Sequence, residues 1–295
     1  MADRLLTIED AKHHLGAHGN MKGLLRHISV VARIDAFLED LNAEASSPMQ
    51  VKFLLNDHRK SNVFHPSSIG SLTGKSLDGK YPVGCARFLY YDYTGAESEG
   101  STEPRLRRIF DTGSAVHGQL QAYLAEIARR SGGTEEFTPE AFFDPDHNEV
   151  ADAFDIAGST DGIYLIHDPV QIRFGVEFKT INDAGYQKTS GPHQEHLIQG
   201  TVYQKCLDLP VMVFVYYNKN DSSMAEFVQI YDERRWDAIA QKLDMVRDLA
   251  LKREEPGRED GWHCMNCKYK AVCKPPKRSR AAAVASTPVF KKDRR

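Results

Sequence analysis

Gly175-Val176-Glu177-Phe178-Lys179, read beside Gly158-Ser159-Thr160-Asp161-Gly162, is the stretch on which the fold turns. On a strand, residues two apart share a face. Glu177 and Lys179 therefore point one way, while Val176 and Phe178 point into the opposite, apolar layer. The first run reads as a strand over 172–180. The run before it covers 162–167, with Asp161 at its start. If the two pair as a hairpin, Asp161 comes close to Glu177. Two carboxylates converging on one point repel unless a cation sits between them. Hard oxygen ligands of this kind suit Mg²⁺ or Mn²⁺. Such an ion can activate a water, and Lys179 is placed to orient that water or stabilise developing charge. Each piece also has an ordinary explanation. A lone E-x-K is a common same-face pair on a solvated strand, and Asp161-Gly162 alone is a common hairpin turn.

Working outward, the segment 111–130 has helical spacing, with Leu120, Leu124 and Ile127 on one face and His117 among them. Short β-type runs follow, at 150–157, 162–167 and 172–180, and Asp155 falls within the first of these. The stretch 193–207 reads as a helix whose apolar stripe is Ile198, Val202 and Cys206. Gln199 and Tyr203 stand one turn apart beside that stripe. The near-continuous apolar run 211–217 reads as a strand covered on both faces. A partner strand over 225–231 and a last helix over 232–252 complete the pattern. An earlier helical stretch covers 21–45, and a capping-box-like start lies at Thr7 to Asp10. The stretch 61–76 reads as turns and loop. The order predicts an α/β core, a mixed sheet flanked by helices.

The chain has five cysteines, and three of them form Cys264-Met265-Asn266-Cys267-Lys268-Tyr269-Lys270-Ala271-Val272-Cys273. A structural zinc or an iron–sulfur cluster needs four soft ligands. Cys85 or Cys206 must supply the fourth if the site is made of cysteine alone. Five cysteines are too few for a disulfide scaffold in 295 residues, and their clustering favours metal binding in a reducing compartment. The N-terminus lacks the apolar segment of a signal peptide, and no run of about 18 apolar residues is present to span a membrane. The net charge of −3 hides a basic C-terminal tail. From Lys274 to Arg295, eight Lys or Arg stand against Asp293 alone, which favours a polyanionic partner.

Taken in order, His117, Gly158 with Asp161, Glu177 with Lys179, and Gln199 with Tyr203 resemble the RecB-like branch of the PD-(D/E)XK nuclease superfamily. An early cysteine and three late ones bracket that core, as in the iron–sulfur subgroup with AddB-type nucleases and CRISPR-associated RecB-like exonucleases. Cys85-Ala86-Arg87-Phe88-Leu89-Tyr90-Tyr91 is similar to that subgroup's basic and aromatic run, and His65-Pro66-Ser67-Ser68 fits its lead-in. The resemblance covers about 63–275. It implies a restriction-endonuclease-like fold with a helical N-terminal segment. The expected layout is an accessory segment over 1–60, a nuclease domain over 61–273, and a disordered basic tail over 274–295. No G-x-x-x-x-G-K-[ST] motif is present, so the resemblance is to a free-standing nuclease.

From the resemblance, His117, Asp161, Glu177 and the Phe178 carbonyl would hold Mg²⁺ or Mn²⁺. Lys179 would be the catalytic lysine, acting with Glu177 and Asp161. Gln199 and Tyr203 would position DNA, by hydrogen bonds to a phosphate or by stacking on a base. Cys85, Cys264, Cys267 and Cys273 would hold a [4Fe–4S] cluster, leaving Cys206 as a small buried residue. The implied activity is a metal-dependent DNA exonuclease acting at single-stranded ends, in recombination, repair or phage DNA processing, in the cytoplasm of a bacterial or phage-infected cell. A recombination or replication protein is the implied partner. The competing expectation is a non-catalytic nucleic-acid-binding scaffold on a nuclease-like core; an intact His117, Asp161, Glu177 and Lys179 argues against it. A zinc knuckle on an unrelated α/β protein explains the cysteine trio alone.

Overall fold

The computed structural model describes residues 27–43, 62–71, 81–98, 104–168 and 171–274. The start at Thr7, with everything before residue 27, and the tail beyond Lys274 lie outside the described residues.

The elements in chain order begin with α1 (Val30–Ala43), α2 (Pro66–Gly70), α3 (Ala86–Tyr93) and the long α4 (Pro104–Arg130). Then come β1 (Glu135–Phe143), α5 (Glu149–Phe154), β2 (Gly158–Ile166) and β3 (Ile172–Ile181). They continue with α6 (Asp183–Tyr186), α7 (Gln194–Leu207), β4 (Val211–Asn218), β5 (Met224–Ile230) and α8 (Glu233–Lys252). A 3₁₀ turn (Trp262–Asn266) and α9 (Lys270–Cys273) follow. The five strands form one sheet in the order β1-β2-β3-β4-β5. Only β3 and β4 run parallel, joined through α7; the other neighbours are antiparallel. This is the expected α/β architecture, a mixed sheet flanked by helices and consistent with a restriction-endonuclease-like fold.

Two apolar layers sandwich the sheet. On one side Val176, Phe178, Val213 and Val215 meet Ile28, Val30 and Ile34 at α1, and Leu120 and Leu124 of α4. On the other, Met212, Phe214 and Tyr216 meet Ile198 and Val202 of α7, and that layer continues through Trp236, Ile239 and Leu243 of α8 to α3. Strand β4 is apolar on both faces because both are covered. Helix α1 is pinned from a distance: Glu226 Oε2 on β5 accepts the Val30 and Val31 backbone N–H groups at 2.8 and 3.0 Å. Gly200 lets α7 come close to the sheet, since a Cβ there would lie 2.5 Å from the Phe214 ring.

The segment 150–157 departs from the expected strand. It forms α5, because the Asn148 side chain accepts the Ala151 N–H at 2.9 Å and so caps a helix. Asp155 ends that helix in the left-handed region at φ 52°, and Ile156 alone makes a bridge, to Phe64. Within 61–76, Pro66–Gly70 is a short helix with proline in its first turn. Among the described residues, no helix is long and apolar enough to cross a membrane.

Candidate functional site

The β2–β3 ladder pairs Gly162 with Val176, so Asp161 and Glu177 continue it on adjacent strands. Asp161 Oδ2 accepts the backbone N–H of Phe178 at 2.6 Å, and Oδ1 lies 3.0 Å from His117 Nδ1 on α4. Glu177 Oε1 accepts from Lys179 Nζ at 2.8 Å and from Gln199 Nε2 at 3.0 Å. Thr160 Oγ1 donates to the Val176 carbonyl at 2.8 Å and lies 3.4 Å from Glu177 Oε2. Lys179 Nζ also donates to Gln199 Oε1 at 2.8 Å, and Gln199 Nε2 to Tyr203 Oη at 2.6 Å. Strand alternation thus puts Glu177 and Lys179 on the α7 side, while Phe178 is fully buried on the other.

The sequence brings together all seven residues expected at this centre: His117, Asp161, Glu177, Phe178, Lys179, Gln199 and Tyr203. They fall into two bonded groups. His117 pairs with Asp161, and Glu177 shares a network with Lys179, Gln199 and Tyr203. Tyr203 is 3% exposed, and a ring so buried offers no face on which a base could stack. Its hydroxyl instead holds Gln199, which in turn holds both charged groups of the β3 strand.

The surroundings shift the two carboxylates in opposite directions. Burial pushes Glu177 up to about 7; Lys179 opposes that rise, and the Asp161 charge adds to it. At Asp161 burial works upward, but the charge and hydrogen bond of His117, with Lys179 and the Phe178 N–H, bring the carboxyl below its ordinary value. Burial alone would lower His117; the charge and hydrogen bond of Asp161 outweigh it, so its pKa rises. A carboxylate pair with an imidazole and a main-chain carbonyl is a suitable donor set for Mg²⁺ or Mn²⁺. The donor types suit such an ion, but among the described residues His117, Asp161 and Glu177 do not each bring a ligand atom within 4.8 Å of the other two.

Two residues absent from the sequence reading complete the wall. Gln121, four residues after His117 on the same face of α4, donates to the Asp161 carbonyl at 2.9 Å and to Glu140 Oε1 at 2.8 Å. Glu140 lies on β1 at φ 49°, in the left-handed region a non-glycine residue seldom adopts, and its Oε2 accepts from Ser159 Oγ at 3.0 Å. The i, i+4 spacing from His117 was a readable signal for Gln121. Glu140 had none, because its placement follows from an irregular β1–β2 register that omits it.

The cysteines assemble elsewhere. Cys85, Cys264, Cys267 and Cys273 line one cavity together with Arg87, Arg258 and Lys270. Cys206 is buried on α7 and does not line that cavity; burial pushes its thiol up to about 12. Asp92 on α3 docks the C-terminal segment by accepting from Lys268 Nζ at 2.6 Å and Tyr269 Oη at 2.9 Å. Arg87 Nε donates to the Pro256 carbonyl at 2.7 Å. Burial is the main reason the Cys85 and Cys267 thiols are raised; Cys273 adds to both, and Cys264 to Cys267. Among the described residues, no three of the four sulfurs lie within 4.8 Å of one another. A four-thiolate zinc site with bonds of about 2.3 Å needs sulfurs about 3.8 Å apart.

No protein-family model matches the sequence, and no curated protein does. Among solved structures the chain is similar to SSO0001, with TM-score 0.42 and 13% identity over 83% of this chain and 95% of that one. It is also similar to an alkaline exonuclease, LHK-Exo from Laribacter hongkongensis, with TM-score 0.42 and 16% identity over 65% of this chain and 89% of that one. The same exonuclease in complex with dAMP matches equally. Likenesses this loose carry no argument about activity.

Proposed function

We propose that the chain is a metal-dependent DNA exonuclease of the RecB-like PD-(D/E)XK type, hydrolysing phosphodiester bonds at single-stranded ends. The observation that carries this reading is the Asp161–Glu177–Lys179 arrangement. Two carboxylates lie on adjacent strands, Glu177 buried and Asp161 half-buried, with a lysine two residues along on the same face as Glu177 and hydrogen-bonded to it at 2.8 Å.

His117, Asp161, Glu177 and the Phe178 carbonyl would hold Mg²⁺ or Mn²⁺. When bound there, the ion supplies an acidified water and charge neutralisation at the scissile phosphate. The remaining work falls to the chain. Lys179 holds its ammonium beside Glu177 and stabilises charge developing on the phosphate. Gln199 fixes Lys179 and Glu177 relative to each other, and Tyr203 acts through Gln199, so both are positioning residues. His117 keeps Asp161 ionised and aimed, and the Phe178 N–H fixes its other oxygen.

In the same reading Cys85, Cys264, Cys267 and Cys273 hold a [4Fe–4S] cluster that ties α3 to the C-terminal segment. The crowding of thiols around one cavity supports this. The activity test uses purified protein and end-labelled single- and double-stranded DNA with Mg²⁺, Mn²⁺ or EDTA. The expected result is metal-dependent release of terminal nucleotides, fastest on single strands and silent in EDTA. DNA binding with no cleavage under any metal would favour a scaffold on a nuclease-like core.

A further inference from the structure

His193, Glu195 and His196 stand where α7 begins, and each offers a ligand atom within 4.8 Å of the other two. Both histidines are tied to one buried group. The His193 backbone N–H donates to Tyr216 Oη at 2.9 Å, and His196 Nδ1 lies 2.6 Å from the same oxygen. Tyr216 itself is fully buried on β4. The two imidazoles lie nearly parallel, 10° apart, with ring centres 5.3 Å apart. His193 is the N-cap residue of α7, but its side chain makes no capping hydrogen bond.

The nitrogen of His196 not facing Tyr216 is Nε2, and Glu195 Oε1 lies 3.8 Å from it. Zinc bonds of about 2.0–2.2 Å place neighbouring N and O ligands about 3.4 Å apart in a tetrahedron. Glu195 thus has only a few tenths of an ångström to close, and its half-exposed side chain can turn to do so. A hydrogen bond to the second ring nitrogen is what orients a metal-bound imidazole, and Tyr216 provides it. Two imidazoles and one carboxylate form the donor set of an open zinc site, with a position left for water or an anion. Gly70 of α2 keeps this turn in place, because a Cβ there would collide with the Glu195 carbonyl.

We infer that His193, Glu195 and His196 form a second, transition-metal site for a Zn²⁺-class cation, distinct from the Asp161–Glu177 centre. Its location gives it a use. His196 precedes Gln199 by one turn of α7, and Tyr216 is the register partner of Lys179. A cation here sits beside the Lys179–Gln199 network, with its open position available to an anionic oxygen such as a strand phosphate. That use rests on the nuclease reading, whereas the metal site does not.

Chelator-stripped whole protein, dialysed against Zn²⁺ and assayed for bound zinc, tests the site without DNA. Wild type is compared with the His193→Ala, His196→Ala double variant and with Glu195→Gln. Zinc taken up by the cysteines or by the carboxylate centre is common to all three proteins and cancels. The double variant should bind one zinc fewer per chain with an unchanged circular dichroism spectrum. Glu195→Gln should keep the fold and weaken that one zinc by roughly tenfold or more, the scale on which ligand surroundings tune metal affinity. Equal zinc number and affinity in wild type and either variant would overturn the proposal. Loss of the zinc difference with metal-dependent DNA cleavage intact would remove this site and leave the nuclease reading standing; the reverse result would do the opposite.

Discussion

The carboxylate centre and the cysteine cavity are each assembled from residues far apart in sequence, but they are held in opposite ways. At the centre, Asp161, Glu177 and Lys179 project from hydrogen-bonded strands, and each charged group has a protein partner. The cavity lies where the C-terminal segment docks on α3, with Asp92 and Arg87 as the polar clamps and the Phe88–Tyr269 ring contact beside them. Its thiols line the cavity beside Arg87, Arg258 and Lys270, and Arg87 Nη1 lies 3.8 Å from Cys273 Sγ. A site built on a sheet keeps its geometry without its ion. A site built on a short docked segment depends on what fills it.

The contrast breaks most sharply in activity. Lys179→Ala and Glu177→Ala should each lower the metal-dependent cleavage rate by about 10²–10³, the usual cost of one preorganised charge-stabilising group. Both should keep a cooperative melting transition, because the sheet ladder does not run through these side chains. Wild-type rates in either variant, measured in single-turnover assays, would remove these residues from the chemistry.

The cysteines should respond in stability and colour first. Anaerobically purified protein should carry iron and sulfide, and Cys85→Ala, Cys264→Ala, Cys267→Ala and Cys273→Ala should each lose both. Because Cys85 and Cys273 are so distant in sequence, loss of the cluster should cost about 2–5 kcal/mol, as for a long-loop crosslink. Cys206→Ala should keep its iron. A colourless wild type with one zinc per chain would contradict the cluster and leave the carboxylate centre untouched.

Asp92→Ala removes a clamp rather than a ligand. It leaves Lys268, Tyr269 and Ser68 without their shared acceptor. The expected cost is about 2–3 kcal/mol, read as a lower denaturant midpoint, with slower cluster uptake. An unchanged midpoint would mean the aromatic contacts alone hold the segment. The smallest effect concerns reactivity. With the cluster stripped, Cys264, Cys267 and Cys273 should be alkylated at pH 8, whereas Cys206 should stay unmodified. Its thiol is pushed up to about 12 by burial, so the reactive thiolate is scarce at that pH. Equal labelling of Cys206 would show that α7 opens readily.

Much of the centre was legible because it follows from strand and helix periodicity. Alternation placed Glu177 and Lys179 together, a hairpin placed Asp161 beside them, and one helical turn placed Gln199 next to Tyr203. Spacing left Cys85 and Cys206 open as companions of the late cysteine trio; the resemblance picked Cys85, and it lines the same cavity as that trio. Three things were not legible. The burial of Tyr203 depends on how closely Gly200 lets α7 approach β4, which no local pattern reveals. The helix at Glu149–Phe154 hides in a run that suits a strand until Asn148 is seen to cap it. Glu140 reaches the site through an irregular position in β1, and irregular backbone leaves no period to read.

The central claim is that Asp161 and Glu177 share one cation that Lys179 does not ligate. Titration of Mn²⁺ into chelator-stripped protein, followed by the loss of the free-ion electron paramagnetic resonance signal, tests it directly. Asp161→Asn should bind one Mn²⁺ fewer than wild type, while Lys179→Ala should bind the full number although it cannot cleave DNA. Identical titrations for wild type and Asp161→Asn would contradict the account.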